Sequence, residues 1–85
     1  MLLHYIKNKL YFQRNAAVAM GNLKNADFIP ALGNAMQGSD ATVRGHAAWA
    51  LGKIGGAAAK KILETSLAKE TSDYVRREIT AALSR

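Results

Sequence analysis

The stretch VRGHAAWALGKIG, Val43 to Gly55, is echoed on both sides of itself. Thirty-one residues earlier the chain reads FQRNAAVAMGNL, Phe12 to Leu23, and thirty-two residues later it reads VRREITAALSR, Val75 to Arg85. A repeat unit must place the same class of residue at the same structural position if it is to stack on its neighbours. Four apolar columns meet that requirement: Phe12, Val43, Val75; Ala16, Ala47, Ile79; Ala19, Ala50, Ala82; and Met20, Leu51, Leu83, with Leu23 and Ile54 one turn further on. Their offsets keep one face of a helix apolar, whereas a strand would scatter them onto two. At about 100° per residue, Gly45, Trp49 and Gly52 fall on the far side of that helix, with His46 and Lys53 between. Each unit is thus expected to have an inner apolar face and an outer working face.

The intervening segments supply a second helix per unit. NADFIPALGNAMQG, residues 25–38, places Phe28, Leu32, Ala35 and Met36 on one face, and AAAKKILETSLAKE, residues 57–70, matches it with Ala59, Leu63 and Leu67. Asn25 stands where the first helix stops, in a residue type that tolerates the left-handed conformation. Either Asn25 or Asp27 caps the second helix, and Pro30 must sit near its first turn, where its missing N–H costs nothing. Gly33 weakens that helix modestly, and Gly38 stops it. Asp40 and Ser72 are the N-caps of the next helices, with Val43 at the third helical position and Asp73 favoured by the helix dipole. The Gly55-Gly56 pair is a stop signal. Residues 1–10 carry Leu2, Leu3, Ile6 and Leu10 and predict a short helix of their own, although Lys9 stands where the other units have a cap. The expected architecture is all-α: five or six helices in short helical-hairpin repeats, stacked as a two-layer right-handed superhelix. Residues 1–85 form one domain, and the abrupt apolar start and open end suggest a C-terminal piece of a longer protein.

Eighty-five residues bury only a modest core. The absence of cysteine excludes disulfides, thiolate metal sites and cysteine nucleophiles. Twelve Lys and Arg against six acids give a formal charge of +6, and the first twenty-five residues hold Lys7, Lys9, Arg14 and Lys24 with no acid. Such a balance suits a polyanionic partner, and equally serves solubility. MLLHYIK has too short an apolar run for a secretory signal and no stretch approaches a membrane span, so the cytoplasm is the expected setting.

The two-helix units, each with an Asp or Ser cap, then Val-Arg, then an alanine-rich helix, resemble HEAT-like repeats, here with a shorter period than full HEAT units. QRNAAVAMGN at 13–22, VRGHAAWALGKIG at 43–55, and Tyr74, Val75, Arg76 with Glu78, Ile79, Ala82 and Leu83 resemble the C-terminal HEAT-like domain of epoxyqueuosine reductases. That resemblance implies a parent oxidoreductase that uses cobalamin and two 4Fe–4S clusters to form queuosine at the wobble position of tRNA. It also implies that the helical tail helps hold the anticodon stem-loop against an upstream catalytic domain of the same chain. The cluster cysteines and cobalamin ligands would lie upstream, so no cofactor is expected on these residues. The first unit departs from the pattern, with Gln13 in the place of Arg44 and Arg76.

On that reading the RNA-binding candidates are Arg14, Asn15, His46, Lys53 and Arg77, because guanidinium, amide and imidazole groups suit phosphates, hydroxyls and stacking. Asp40, Arg44 and Arg76 are read as structural, the two arginines reaching an acid or carbonyl of the next repeat. Trp49 is either a stacking platform or, as we prefer, a residue packed between helices. Glu64, Glu70 and Glu78 read as solvated charges. Neither His4 nor His46 has a second ligand at helical spacing, so no metal site is expected. No catalytic constellation is present. The alternative reading is a protein-interaction scaffold.

Overall fold

The computed structural model describes the backbone of residues 2–85 and the side chains of residues 13–85. Five α-helices and one 3-10 turn follow in order: α1 Leu2–Leu23, the turn Ala26–Phe28, α2 Ile29–Ala35, α3 Ala41–Ile54, α4 Gly56–Lys69 and α5 Asp73–Leu83. α1, α3 and α5 lie side by side as one layer, and α2 and α4 form the second, α2 resting on α3 and α4 bridging α3 and α5.

The caps fall where side-chain chemistry requires them. The Asp40 carboxylate accepts from the Val43 N–H at 2.9 Å and the Ser72 hydroxyl from Val75 N–H at 3.3 Å, each satisfying a donor the helix cannot. α3 ends at Gly55 and α4 starts one residue later, because φ of +73° and +91° at Gly55 and Gly56 turns the chain back at no steric cost. Val43, Ala47, Ala50 and Leu51 of α3 and Val75, Ile79 and Ala82 of α5 are buried, joined by Leu32 and Met36 of α2 and Ala59 and Leu63 of α4.

Four local expectations are corrected. Residues 2–10 do not form a separate helix: α1 runs unbroken from Leu2 to Leu23, since Lys9 offers no capping oxygen with which to start a new one. The apolar roles expected of Leu2, Leu3, Ile6, Leu10 and Phe12 lie outside the described side chains. The second helix is divided into the 3-10 turn and a seven-residue α2, with Pro30 in the first turn of α2, where the proline ring favours a fresh start. The left-handed residue after α1 is Lys24, at φ +53°, and not Asn25. Asn25 is extended instead, and its side chain accepts from the Asp27 N–H at 2.9 Å to cap the turn.

The fourth correction concerns the apolar column of the first unit. Ala16 and Ala19 are exposed, Leu23 is 68% exposed, and Ala17 is buried in their place. α3 and α5 have α4 lying across both, whereas the short α2 leaves the equivalent face of α1 bordering an open groove, lined by Ala16, Ala17 and Met20 on one side and Ala31, Leu32 and Ala35 on the other.

Candidate nucleic-acid interface

The first layer carries all five of the proposed RNA ligands, and its close packing decides where they stand. α1 meets α3 through Gly21, where a Cβ would lie 2.9 Å from Ala50 Cα and 2.7 Å from the Trp49 ring. α3 meets α5 in the same way through Gly52, one repeat later, where a Cβ would lie 2.6 Å from Ala82 Cβ. Gly45, also on α3, lies under the Tyr74 ring of α5, at a distance that admits no side chain. Gly45 and Gly52 are therefore not on an outer working face, as one helix considered alone suggests; they are buried on the flank where neighbouring helices of a layer touch.

Trp49 is half-buried in the seam between α1 and α3, its ring against Gly21. Lys53, one turn on, places Nζ 5.5 Å from the centroid of that ring, within cation–π range. His46 turns Nδ1 toward the Thr42 carbonyl oxygen at 2.7 Å, which ties one ring nitrogen to its own helix. Arg14, at the position of α1 equivalent to Gly45, is half-buried, and its charge reaches Tyr74. Tyr74 has its phenol pushed up, first by burial and then by Glu78, with Arg14 opposing. Asn15 and Arg77 are exposed. Arg14 and Asn15 thus sit on α1, His46 and Lys53 on α3, and Arg77 on α5, where it lines a shallow depression with Asp73, Arg76, Thr80 and Ala81. No described contact joins Arg77 to the other four.

The arginines of the Val-Arg pairs hold the units together. Arg44 donates from Nε to Glu70 Oε1 at 2.9 Å and from Nη2 to Oε2 at 3.0 Å, while Nη1 donates to the Gly38 carbonyl at 2.9 Å. Glu70 also accepts from the N–H groups of Thr71 and Ser72. Its carboxyl is held below the usual carboxylate range, chiefly by the Arg44 hydrogen bond, against an opposing effect of burial. The same hydrogen bond raises Arg44. Glu70 is therefore not a solvated charge: its side chain is only 6% exposed. The pair spans twenty-six residues, so the signal open to sequence was local, a carboxylate two positions before a capping serine. Tyr74 also escaped the sequence reading, although an unexplained glycine in mid-helix at position 45 asks for a bulky neighbour.

A family model of HEAT repeats matches residues 3–84. The epoxyqueuosine reductase of Bacillus subtilis (strain 168) is 40% identical over 74 residues, which are 86% of this chain and 19% of that protein. The epoxyqueuosine reductase of Bacillus cereus is 38% identical over 78 residues, 91% of this chain and 20% of the relative. A solved crystal structure of selenomethionine-labelled epoxyqueuosine reductase matches with a TM-score of 0.77 and 38% identity, covering 84% of this chain and 19% of that one. The chain spans about one-fifth of the length of these relatives. Its own donors do not fit an iron–sulfur cluster, since it has no cysteine, and the described residues include no group of three or more His, Asp or Glu placed to hold a metal ion. The chain belongs to the HEAT repeat family, and by sequence and fold it fits a fragment of the epoxyqueuosine reductases.

Proposed function

We propose that this chain is a noncatalytic RNA-binding module of an epoxyqueuosine reductase-like protein in queuosine biosynthesis, holding the anticodon stem-loop of a tRNA for a catalytic domain elsewhere in the same protein. The observation that carries this reading is the presence of Arg14 and Asn15 on α1 and of His46 and Lys53 on α3, adjacent helices of one layer, in a chain of formal charge +6. Lys53 and Trp49 add an aromatic and cationic pair of the kind that accepts bases and phosphates. The reductase chemistry, with its cobalamin and iron–sulfur clusters, would then belong to other parts of the parent, and the cytoplasm is the setting that goes with it. Among the described residues no helix is long and apolar enough to cross a membrane.

A scaffold that binds proteins is the second reading, favoured by the open apolar groove between α1 and α2. A fluorescence titration of a labelled anticodon stem-loop separates the two. Binding at low salt that outcompetes an unrelated acidic protein supports the RNA module. No binding at low salt supports the scaffold.

A further inference from the structure

α3 is packed on both flanks, by α1 and α5, and on its inner side by α2 and α4. What it leaves open is one stripe in the middle of the stack, Thr42, His46, Trp49 and Lys53, at steps of four, three and four residues. The chemistry changes along that stripe. Toward the end of the helix Lys53 holds its charge over the Trp49 ring, at 5.5 Å from the centroid. On the other side of Trp49, His46 holds Nδ1 2.7 Å from the carbonyl oxygen of Thr42.

A carbonyl oxygen only accepts, so the hydrogen of that bond is on Nδ1. In the neutral ring Nε2 then carries a lone pair and no hydrogen, and it presents an acceptor to the surface. Among the described residues neither a hydrogen-bond donor nor a carboxylate is paired with Nε2. The repeat sets two further groups level with it. Asn15, thirty-one residues earlier, holds the same position on α1 and is exposed; Glu78, thirty-two residues later, holds it on α5 and is half-buried. The glycine seams keep the three helices in one register, since Gly21 meets Ala50 as Gly52 meets Ala82. An amide, a ring acceptor and a carboxylate in one row do not suit a phosphate, which brings acceptors and a negative charge of its own. They suit a group with a hydrogen to donate. The cation stands two turns away, at Lys53.

We propose that His46 is the residue that distinguishes RNA from DNA on this surface, its Nε2 accepting a hydrogen bond from a ribose 2′-hydroxyl of the bound stem-loop. This rests on the RNA-binding reading for the ligand and gives that site a specificity. The 2′-hydroxyl is a donor as well as an acceptor, and it is the group by which a protein tells RNA from DNA. The bond from Nδ1 to Thr42 fixes the tautomer and the plane of the ring, as the second nitrogen of a working imidazole commonly does. Phosphate contact is left to Lys53 on the same stripe and to Arg14. A base amino group is the other donor that an RNA offers, and DNA offers it too.

Long-range proton–nitrogen spectra of the histidine-labelled chain near neutral pH should show His46 with hydrogen on Nδ1 and none on Nε2. A hydrogen on Nε2, alone or with one on Nδ1, overturns the proposal. Affinities of the wild type and of His46→Ala are then measured for the anticodon stem-loop and for a set in which one 2′-hydroxyl at a time is replaced by hydrogen. One deoxy position should weaken the wild type about threefold to tenfold, His46→Ala should weaken the intact stem-loop by a similar factor, and the two losses should not add. His46→Ala breaks only a hydrogen bond within α3, so its helical content should be that of the wild type. A wild type indifferent to every deoxy position, or a deoxy loss that is undiminished in His46→Ala, overturns the assignment and leaves the RNA module standing. Sensitivity through His46 to loss of a base amino group, and to no hydroxyl, overturns it in favour of base reading. A shallower salt dependence in His46→Ala marks a phosphate contact and overturns it as well. Absence of any stem-loop binding by the unaltered chain removes both the assignment and the module.

Discussion

Gly52→Ala is expected to destabilise this protein although it replaces the poorest ordinary helix former with the best. In an exposed helix interior the change gains about 1 kcal/mol. Here the new Cβ would sit 2.6 Å from Ala82 Cβ and 2.9 Å from Ala82 Cα, about 0.8 Å inside the 3.4 Å at which ordinary contact begins. One of those atoms is backbone, so relief requires α5 to move away from α3, along a seam that also holds Gly45 against Tyr74. Overpacking of this kind costs about 1–3 kcal/mol, and the upper part of that range applies where no side chain can rotate away. The net loss is about 1–2 kcal/mol, or a fall in Tm of about 5–15 °C for a chain of this size. Gly33→Ala is the internal control. Its Cβ meets only the tip of Ile62 at 3.3 Å, so the propensity gain should survive, at about 0.5–1 kcal/mol. Thermal and denaturant unfolding of both variants should give changes of opposite sign, and Ala82→Gly in the Gly52→Ala background should not add its full single-variant cost, since it removes the 2.6 Å Cβ contact while leaving the 2.9 Å contact with the backbone. Stabilisation by Gly52→Ala equal to that by Gly33→Ala would refute the close seam.

Ala50→Leu, at a fully buried position facing Gly21, should cost about 1–3 kcal/mol in the same assays. Glu70→Gln should cost about 1–3 kcal/mol near neutral pH, because it leaves the buried edge of Arg44 without its carboxylate. Since the carboxyl of Glu70 is lower in the folded chain than its ordinary value of 4.5, its contribution is complete above that value and is lost as pH falls through the folded value. The gap between wild type and Glu70→Gln should therefore close on acidification from about pH 4.5 downward, and a gap that stays constant would show that the carboxylate charge is not what matters. Reconstituted with iron and sulfide, the chain should take up no stoichiometric cluster, since it has no thiolate to offer. Stoichiometric visible absorbance after reconstitution would contradict this.

Most of the layer structure could be read from the sequence because the repeat columns report the same burial twice, in α3 and α5. They failed in α1, where burial depends on the helix lying above and α2 is too short to cover Ala16 and Leu23. The glycines were misplaced for a related reason: a helical wheel has an inside and an outside, whereas a helix in the middle of a layer has two further flanks. Gly45 and Gly52 belong to a flank, and only Tyr74 and Ala82 reveal it. The Arg44 and Glu70 pair was half legible, since the arginine column pointed to a contact between units, but its partner depends on the register between α3 and the loop after α4. Of the proposed ligands, Arg14 and Asn15 stand on α1, His46 and Lys53 on the neighbouring α3, and Arg77 on α5, where it lines a shallow depression with Arg76.

The RNA-binding account is tested most directly by the salt dependence of stem-loop binding by the wild-type chain and by the Arg14→Glu, Lys53→Glu double variant. Each neutralised phosphate releases condensed counterion, so the logarithm of the affinity should fall linearly with the logarithm of salt concentration, by about 0.7–0.9 per contact. The double variant should bind more weakly at low salt and show a slope shallower by about 1.4–1.8, with its helical content unchanged. Equal affinity and equal slope for the two proteins would contradict the account.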